Sequence, residues 1–363
     1  MSTPGRPKGE YRRAQPEGSP VSWQDRLQRA WQADDALAQC LRPLGALHAA
    51  LLRLRVWAYR LGLKKSATLP RPVIVVGNWI VGGAGKTPAT LALLEILRRQ
   101  GLRAGVVSRG YGRQDEHRTL LVQPDSPAAA VGDEPLLIHL RSRCPVAVGR
   151  DRVAAAQALL AAHPELDLIV ADDGLQHWRL PRQLSVVVID DRGLANGRLL
   201  PAGPLRQAGP LPAPPGSRND ALLLYSAGRP STPLPGYTGT RRLAGAVRLA
   251  DWWEGRPASL QALHALRGRP LLAAAGLARP QAFFDMLREQ GLDIQPLPLP
   301  DHHDFGTLPW PAGGATVLLT EKDAVKLPSS RAGQTEVWVV ALDFRPEIAF
   351  EQALCEHVQA LLR

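Results

Sequence analysis

Cysteine is scarce in this 363-residue chain: Cys40, Cys144 and Cys355 stand far apart, with no CxxC pair. That excludes a disulfide framework and a cysteine-built metal site. It points to a reducing compartment and leaves the thiols as small core residues. Lysine is scarce too. There are six, Lys8, Lys64, Lys65, Lys86, Lys322 and Lys326, so arginine supplies most of the 44 basic residues. Aromatic residues make up 5%, and none interleave with a basic patch of the kind that grips nucleic acid. No run of about 18 uncharged apolar residues exists, which excludes a spanning helix. Met1–Pro20 lacks the apolar segment of a secretory signal.

What is present describes a globular chain. Hydrophobic residues make up 45% and charged residues 21%, enough for one large core or two smaller ones. The formal charge of +11 favours anionic partners. The polar, basic, Pro- and Gly-rich start predicts a disordered basic tail, taken as residues 1–40. Residues 41–66 predict an amphipathic helix: Leu44, Leu47, Leu51, Leu54, Ala58 and Leu61 share a stripe bordered by Trp57, with Arg53, Arg60 and Lys64 opposite. That pattern fits a helix lying in a membrane surface, or one packed on the protein's own core.

Beyond Pro70, short apolar runs alternate with helical spacing. Val73–Val76, Ala104–Val107, Leu168–Ala171, Leu184–Ile189 and Ala221–Leu224 read as buried strands, with helices at Thr87–Gln100 and Arg152–Ala162. The alternation predicts a parallel sheet with helices on both faces. A second series predicts a smaller C-terminal α/β part: Leu271–Ala274, a helix at Pro280–Gln290, Thr316–Leu319, Val337–Ala341 and a helix at Glu347–Leu362. Between them, Pro201–Gly245 reads as a Pro- and Gly-rich linker. The division expected is a core over 67–215 and a second portion over 216–363.

Gly82-Gly83-Ala84-Gly85-Lys86-Thr87-Pro88 follows the first strand and opens a helix. Glycines let backbone amides turn toward an anion, Lys86 can reach terminal phosphates, and the Thr87 hydroxyl can bind Mg²⁺. The strict P-loop pattern wants glycine where Ile80 stands. Leu168–Asp173 reads as an apolar strand ending in the carboxylates Asp172 and Asp173, which suits metal and nucleotide. Gly132-Asp133-Glu134-Pro135 offers either a helix cap or a general base for a hydroxyl nucleophile. Asp301-His302-His303-Asp304 lacks a third metal ligand at suitable spacing, and reads as a solvated loop or as a histidine serving a carboxylate base. Arg109 and Tyr111, at a strand's carboxyl end, suit a phosphate and a ring; Arg206 suits an anion.

Taken in order, VGNWIVGGAGKTP, SRGYGR, VGDEP, ADDGLQH, NGRLLPAGPLR, DHHDF and TEKDAVK resemble the tetraacyldisaccharide 4'-kinase family. The resemblance implies a P-loop kinase that uses ATP and Mg²⁺ to phosphorylate the 4'-hydroxyl of an acylated disaccharide 1-phosphate. It implies a peripheral enzyme on the cytoplasmic face of the inner membrane, held by the amphipathic helix, with no nucleic acid and no obligate protein partner. It implies Asp133 and His302 as a catalytic dyad with Lys86, nucleotide held by residues 82–87 with Asp172 and Asp173, and metal at Thr87 and Asp172. Glu134, Arg109, Tyr111, Asn196 and Arg206 would line the substrate site. Ile80 and Gln207 depart from the usual hydroxyl residue and glutamate. The competing reading is a P-loop ATPase or GTPase switch acting on a protein partner.

Overall fold

The computed structural model describes residues 23–363 except 208, 210–213, 216, 219 and 312–314. Residues 1–22 of the expected tail lie outside that range. Residues 23–40 correct it, because they form helices α1 (Trp23–Ala33) and α2 (Ala36–Cys40). Tertiary contact holds them: Trp31 is buried and its Nε1 donates to the Pro201 carbonyl at 2.9 Å. Asp35 caps α2 by accepting from the Leu37 and Ala38 amides.

Helix α3 (Arg42–Arg60) begins with a proline in its first turn. Its buried residues are Gly45, Val56 and Tyr59, with the Tyr59 ring 5.4 Å from that of Trp178. The leucine stripe faces away from the protein: Leu44, Leu47, Leu51, Leu54, Trp57 and Leu61 are each 52–66% exposed. Packing of the stripe on the protein's own core is thereby excluded.

The first half contributes β1 (Val73–Gly77), α4 (Lys86–Arg99), β2 (Ala104–Ser108), β3 (Leu120–Leu121), α5 (Ala128–Val131), α6 (Asp133–Ser142), β4 (Val146–Val148), α7 (Arg152–Ala162), β5 (Leu168–Asp172), β6 (Leu184–Ile189) and β7 (Ala221–Tyr225). The second contributes β8 (Tyr237–Arg248), α8 (Leu249–Trp253), α9 (Leu260–His264), β9 (Leu271–Ala275), α10 (Pro280–Glu289), β10 (Ile294–Pro298), β11 (Thr316–Thr320), α11 (Glu321–Ala324), β12 (Glu336–Pro346) and α12 (Ile348–Leu362). They build one sheet in the order β10-β9-β11-β12-β8-β7-β6-β1-β5-β2-β4-β3.

β1 runs parallel between β5 and β6, and all five of its residues are buried. Strands buried on both faces need apolar residues throughout, hence the unbroken Val and Ile runs. One face packs on α4, α6 and α12, in a core running from Leu93 and Leu136 to Val339 and Phe350. The other packs on α7. Pro201–Gly245 is more than a linker: it holds β7 and most of β8. β8 pairs parallel with β7 and antiparallel with β12, so the sheet passes unbroken between the halves.

This topology positions the site. Register sets Asp172 beside Val76, level with the point where β1 gives way to the glycine loop. The loops after β10 and β11 belong to strands antiparallel to β1. Sheet twist swings a strand five places along by roughly 100°, at about 20–25° per strand. Loops that start from opposed strands can therefore converge on one cleft.

Candidate active site

The loop after β1 is a backbone cradle. Gly82 and Gly85 have φ of +91° and +83°, a region open to glycine at little cost. Gly85 is the N-cap of α4, so the first-turn amides of that helix point into the loop. Lys86 Nζ lies 3.7 Å from Asp173 Oδ1 and 3.5 Å from Asn78 Oδ1. The Pro201–Arg206 segment runs alongside: the Val81 amide donates to the Pro204 carbonyl and the Arg206 amide to the Trp79 carbonyl. Ile80 is buried and bridges to Leu205, so this departure from the glycine pattern serves packing.

Two carboxylates close the β5 end. Asp172 is 1% exposed and accepts from Thr90 Oγ1 at 2.9 Å. Burial, followed by the neighbouring Glu134 and Asp173 charges, pushes its pKa up to about 7. Asp173 behaves oppositely. Burial opposes its ionisation, but Lys86 and Arg206 outweigh that and hold its pKa down. Arg206 Nη1 sits 3.0 Å from Asp173 Oδ1 and also donates to Gln176 Oε1.

Across the cleft, Asp133 is the first residue of α6. Gly132 precedes it at φ +94°, pressed against Gly110, where any Cβ would overlap the neighbouring backbone. That close approach seats the Ser108–Gly112 loop on the acidic turn. Asp133 is 5% exposed, and its Oδ2 lies 2.9 Å from His302 Nδ1. Burial raises the Asp133 pKa, but the His302 hydrogen bond and the Lys322 charge more than reverse this. The Asp133 hydrogen bond is the main cause that raises the His302 pKa. By linkage, Asp133 contributes stability above the ordinary carboxylate pKa that is lost as pH falls through its lowered value. His302 contributes stability below the ordinary imidazole pKa that is lost as pH rises through its raised value.

Lys322, which the motifs did not assign to the site, is central to it. Its Nζ lies 3.3 Å from both Glu134 Oε1 and Asp301 Oδ1. Burial disfavours its charge, yet Glu134, Asp133 and Asp301 together raise its pKa. Its neighbours Glu321 and Asp323 are struts: Glu321 pairs with Arg141, and Asp323 accepts from the Gly276 amide and Thr320 Oγ1. The signal for Lys322 was its rarity, one lysine among six. Thr90 carried a weaker signal, one helical turn past Lys86. Buried Arg152 carried none; burial lowers its pKa to about 10 despite Asp173 and Asp172 nearby.

Other expected residues take other duties. Arg109 pairs with Glu116 at 3.1 Å. Tyr111 is 64% exposed, its ring 5.7 Å from that of His302. Asn196 bonds to Ala202 O within its own loop and to Asp34 Oδ1. His303 Nδ1 and Asp304 Oδ1 accept amides inside their loop. His177 falls to about 4 through burial and then Arg152. Gln207 is 2% exposed, accepting from Gln176 Nε2 and donating to Gly209 O.

A family model described as tetraacyldisaccharide-1-P 4'-kinase matches residues 37–359. The chain belongs to this family. It is 58% identical to the tetraacyldisaccharide 4'-kinase of Methylibium petroleiphilum over 90% of this chain and 92% of that one. It is 52% identical to that of Leptothrix cholodnii over 88% and 91%. The solved structure of LpxK from Aquifex aeolicus in complex with ATP matches with a TM-score of 0.74 and 26% identity, over 90% of this chain and all of that one. The chain is therefore an enzyme of the tetraacyldisaccharide 4'-kinase family, and the switch reading falls away.

Lys322→Met tests the charge network. Removing a cation that opposes the imidazolium raises the His302 pKa further, read from histidine ring NMR shifts against pH. An unmoved His302 titration contradicts the coupling.

Proposed function

We propose that this 4'-kinase family member transfers the γ-phosphate of ATP directly to the 4'-hydroxyl of a tetraacyldisaccharide 1-phosphate, with Asp133 as base and His302 as its partner. The observation that carries this reading is the 2.9 Å Asp133–His302 hydrogen bond across the cleft from the Lys86–Asp173 pair. The loop amides of residues 82–85 and Lys86 hold the phosphates and offset their charge. Lys86 and Arg206 keep Asp173 ionised. Asp133, held ionised, accepts the hydroxyl proton. Its low basicity suits a loose transition state, in which positioning matters more than proton-transfer strength. His302 orients the carboxylate through Nδ1. Lys322 holds Glu134 and Asp301 so that they do not repel Asp133.

Mg²⁺ fits this donor set. Thr87 and Asp172 offer hard oxygens, and burial, then the Glu134 and Asp173 charges, disfavour an unpaired Asp172 carboxylate, which a cation would relieve. Among the described residues no group of three or more His, Cys, Asp or Glu side chains could hold a metal alone, so Thr87 and Asp172 would share the ion with nucleotide phosphates. When bound, Mg²⁺ would supply positive charge to offset the charge that develops on the transferring phosphoryl group.

The same reading sets the enzyme on the cytoplasmic face of the inner membrane through α3. Its outward leucine stripe and flanking Arg53, Arg60 and Lys64 suit an acidic lipid surface. No described helix is long and apolar enough to cross a membrane. Glu134, Tyr111 and Arg206 would line the disaccharide; Arg109 and Asn196 would act through the loops they hold.

In detergent micelles with γ-labelled ATP, Mg²⁺ and tetraacyldisaccharide 1-phosphate, wild-type enzyme labels the lipid. Lys86→Ala and Asp133→Ala each lower turnover at least about a hundredfold while remaining folded by circular dichroism. Near-normal turnover in either variant, or ATP hydrolysis without labelled lipid, contradicts the reading. A Leu51→Glu, Leu54→Glu double variant loses sedimentation with anionic vesicles while keeping its melting temperature. Undiminished vesicle binding counts against α3 as the anchor.

A further inference from the structure

The glycine loop is gripped from behind by arginines that belong to no phosphate-binding motif. Arg241 of β8, paired with Phe344 of β12, donates through Nη2 to the Ala84 carbonyl at 3.2 Å and to Ser226 Oγ at 2.8 Å. Ser226 is buried and its hydroxyl donates to that same Ala84 carbonyl at 3.1 Å. Arg192 reaches the Val81 and Gly83 carbonyls at 3.4 Å each, with its Nε anchored on Asp190. Asp190 is 1% exposed and also receives Arg279, the N-cap residue of α10.

In a trans peptide the carbonyl of one residue and the N–H of the next point in opposite directions. Holding the carbonyls of Val81, Gly83 and Ala84 on the arginine side therefore turns the amides of Gly82, Ala84 and Gly85 to the other side. A run of amides facing one way is an anion-binding nest. Gly85 fits the same arrangement, since a Cβ there would run into the Arg241 guanidinium. Keeping a cation here is unfavourable: burial, then Arg279 and Arg192, lower the Arg241 pKa, and its Nε has no partner among the described residues. A costly charge directed at a loop carbonyl calls for a role in holding that loop.

We infer that Arg241, assisted by Ser226, is a positioning residue that fixes the peptide orientation of the nucleotide loop and so sets affinity for the phosphates of ATP. It acts on a carbonyl from behind the loop. It also links β8, in the second half of the chain, to nucleotide binding in the first.

The test is calorimetric titration of the full-length enzyme with ADP, alongside kinase kinetics and melting temperature. Losing a charged donor to a carbonyl predicts that Arg241→Met binds ADP about tenfold to a hundredfold more weakly. The KM for ATP rises in step, and kcat changes by less than about threefold. Arg241→Lys, which keeps charge and a donor, recovers part of the affinity. Ser226→Ala weakens ADP binding by a smaller factor. The double variant Arg241→Met, Ser226→Ala loses less than the sum of the two, because both groups hold one carbonyl. Wild-type ADP affinity in Arg241→Met overturns the inference, as does a fall in melting temperature with affinity unchanged. Strictly additive losses overturn it too, since they would mean Arg241 meets the nucleotide independently. Should Arg241→Met fail to fold, Ser226→Ala decides alone: weaker ADP binding supports the inference and unchanged binding overturns it.

Discussion

Four carboxylates crowd the cleft of this enzyme, and the rest of the site is arranged to keep them there. Asp133, Glu134, Asp172 and Asp173 come from the ends of β5 and the start of α6, and two of them are almost fully buried. Burying an unpaired carboxylate costs several kcal/mol, so each needs a partner brought in by the fold. Lys86 and Arg206 meet Asp173, and Thr90 meets Asp172. Lys322 and His302 meet Glu134 and Asp133 from the second half of the chain, across as many as 188 positions. Charge balance in the first half thus requires the second half. Asp172 has no ion-pair partner among the described residues, so a divalent cation would gain most there.

The sheet makes that meeting possible. β8 joins the two strand sets in one hydrogen-bonded surface, and a shared core under α4 reaches β12 and α12. The cleft is therefore framed by rigid strands, with chemistry confined to the loops at their ends. Helix α3 stands apart from this logic. It buries one narrow face against Trp178 and turns its leucines outward, an arrangement unfavourable in water that a lipid surface would relieve.

Much of this was legible in the sequence, for local reasons. The glycine loop, the acid-ended strand and the β-branched runs are defined by spacing within ten or so residues, and all lie where expected. The Asp133–His302 contact was available only by resemblance, because no local pattern links residues so far apart. Lys322 and Arg152 escaped because their roles come from tertiary placement. The helices at 23–40 escaped because a polar composition hid the docking of Trp31. β8 escaped because its Gly and Pro neighbours suggested a linker, whereas its pairing comes from β7 and β12. Ile80 and Gln207, departures when read as sequence, turn out to be buried: one packs on Leu205, and the other bonds to Gln176.

Asp133 could in principle serve chemistry in two ways, as a base that takes a proton or as a nucleophile that takes the phosphoryl group. Its oxygens hydrogen-bond to His302 and to the Glu134 amide, and the proposed role is the first. The account rests on one direct transfer from nucleotide to sugar. The measurement that tests this most directly is the stereochemical course at phosphorus, using ATP made chiral at the γ-phosphate with oxygen isotopes and analysing the phosphorylated lipid. A single in-line transfer predicts inversion of configuration. Retention would mean two displacements through a phosphorylated enzyme, and would contradict the role assigned to Asp133.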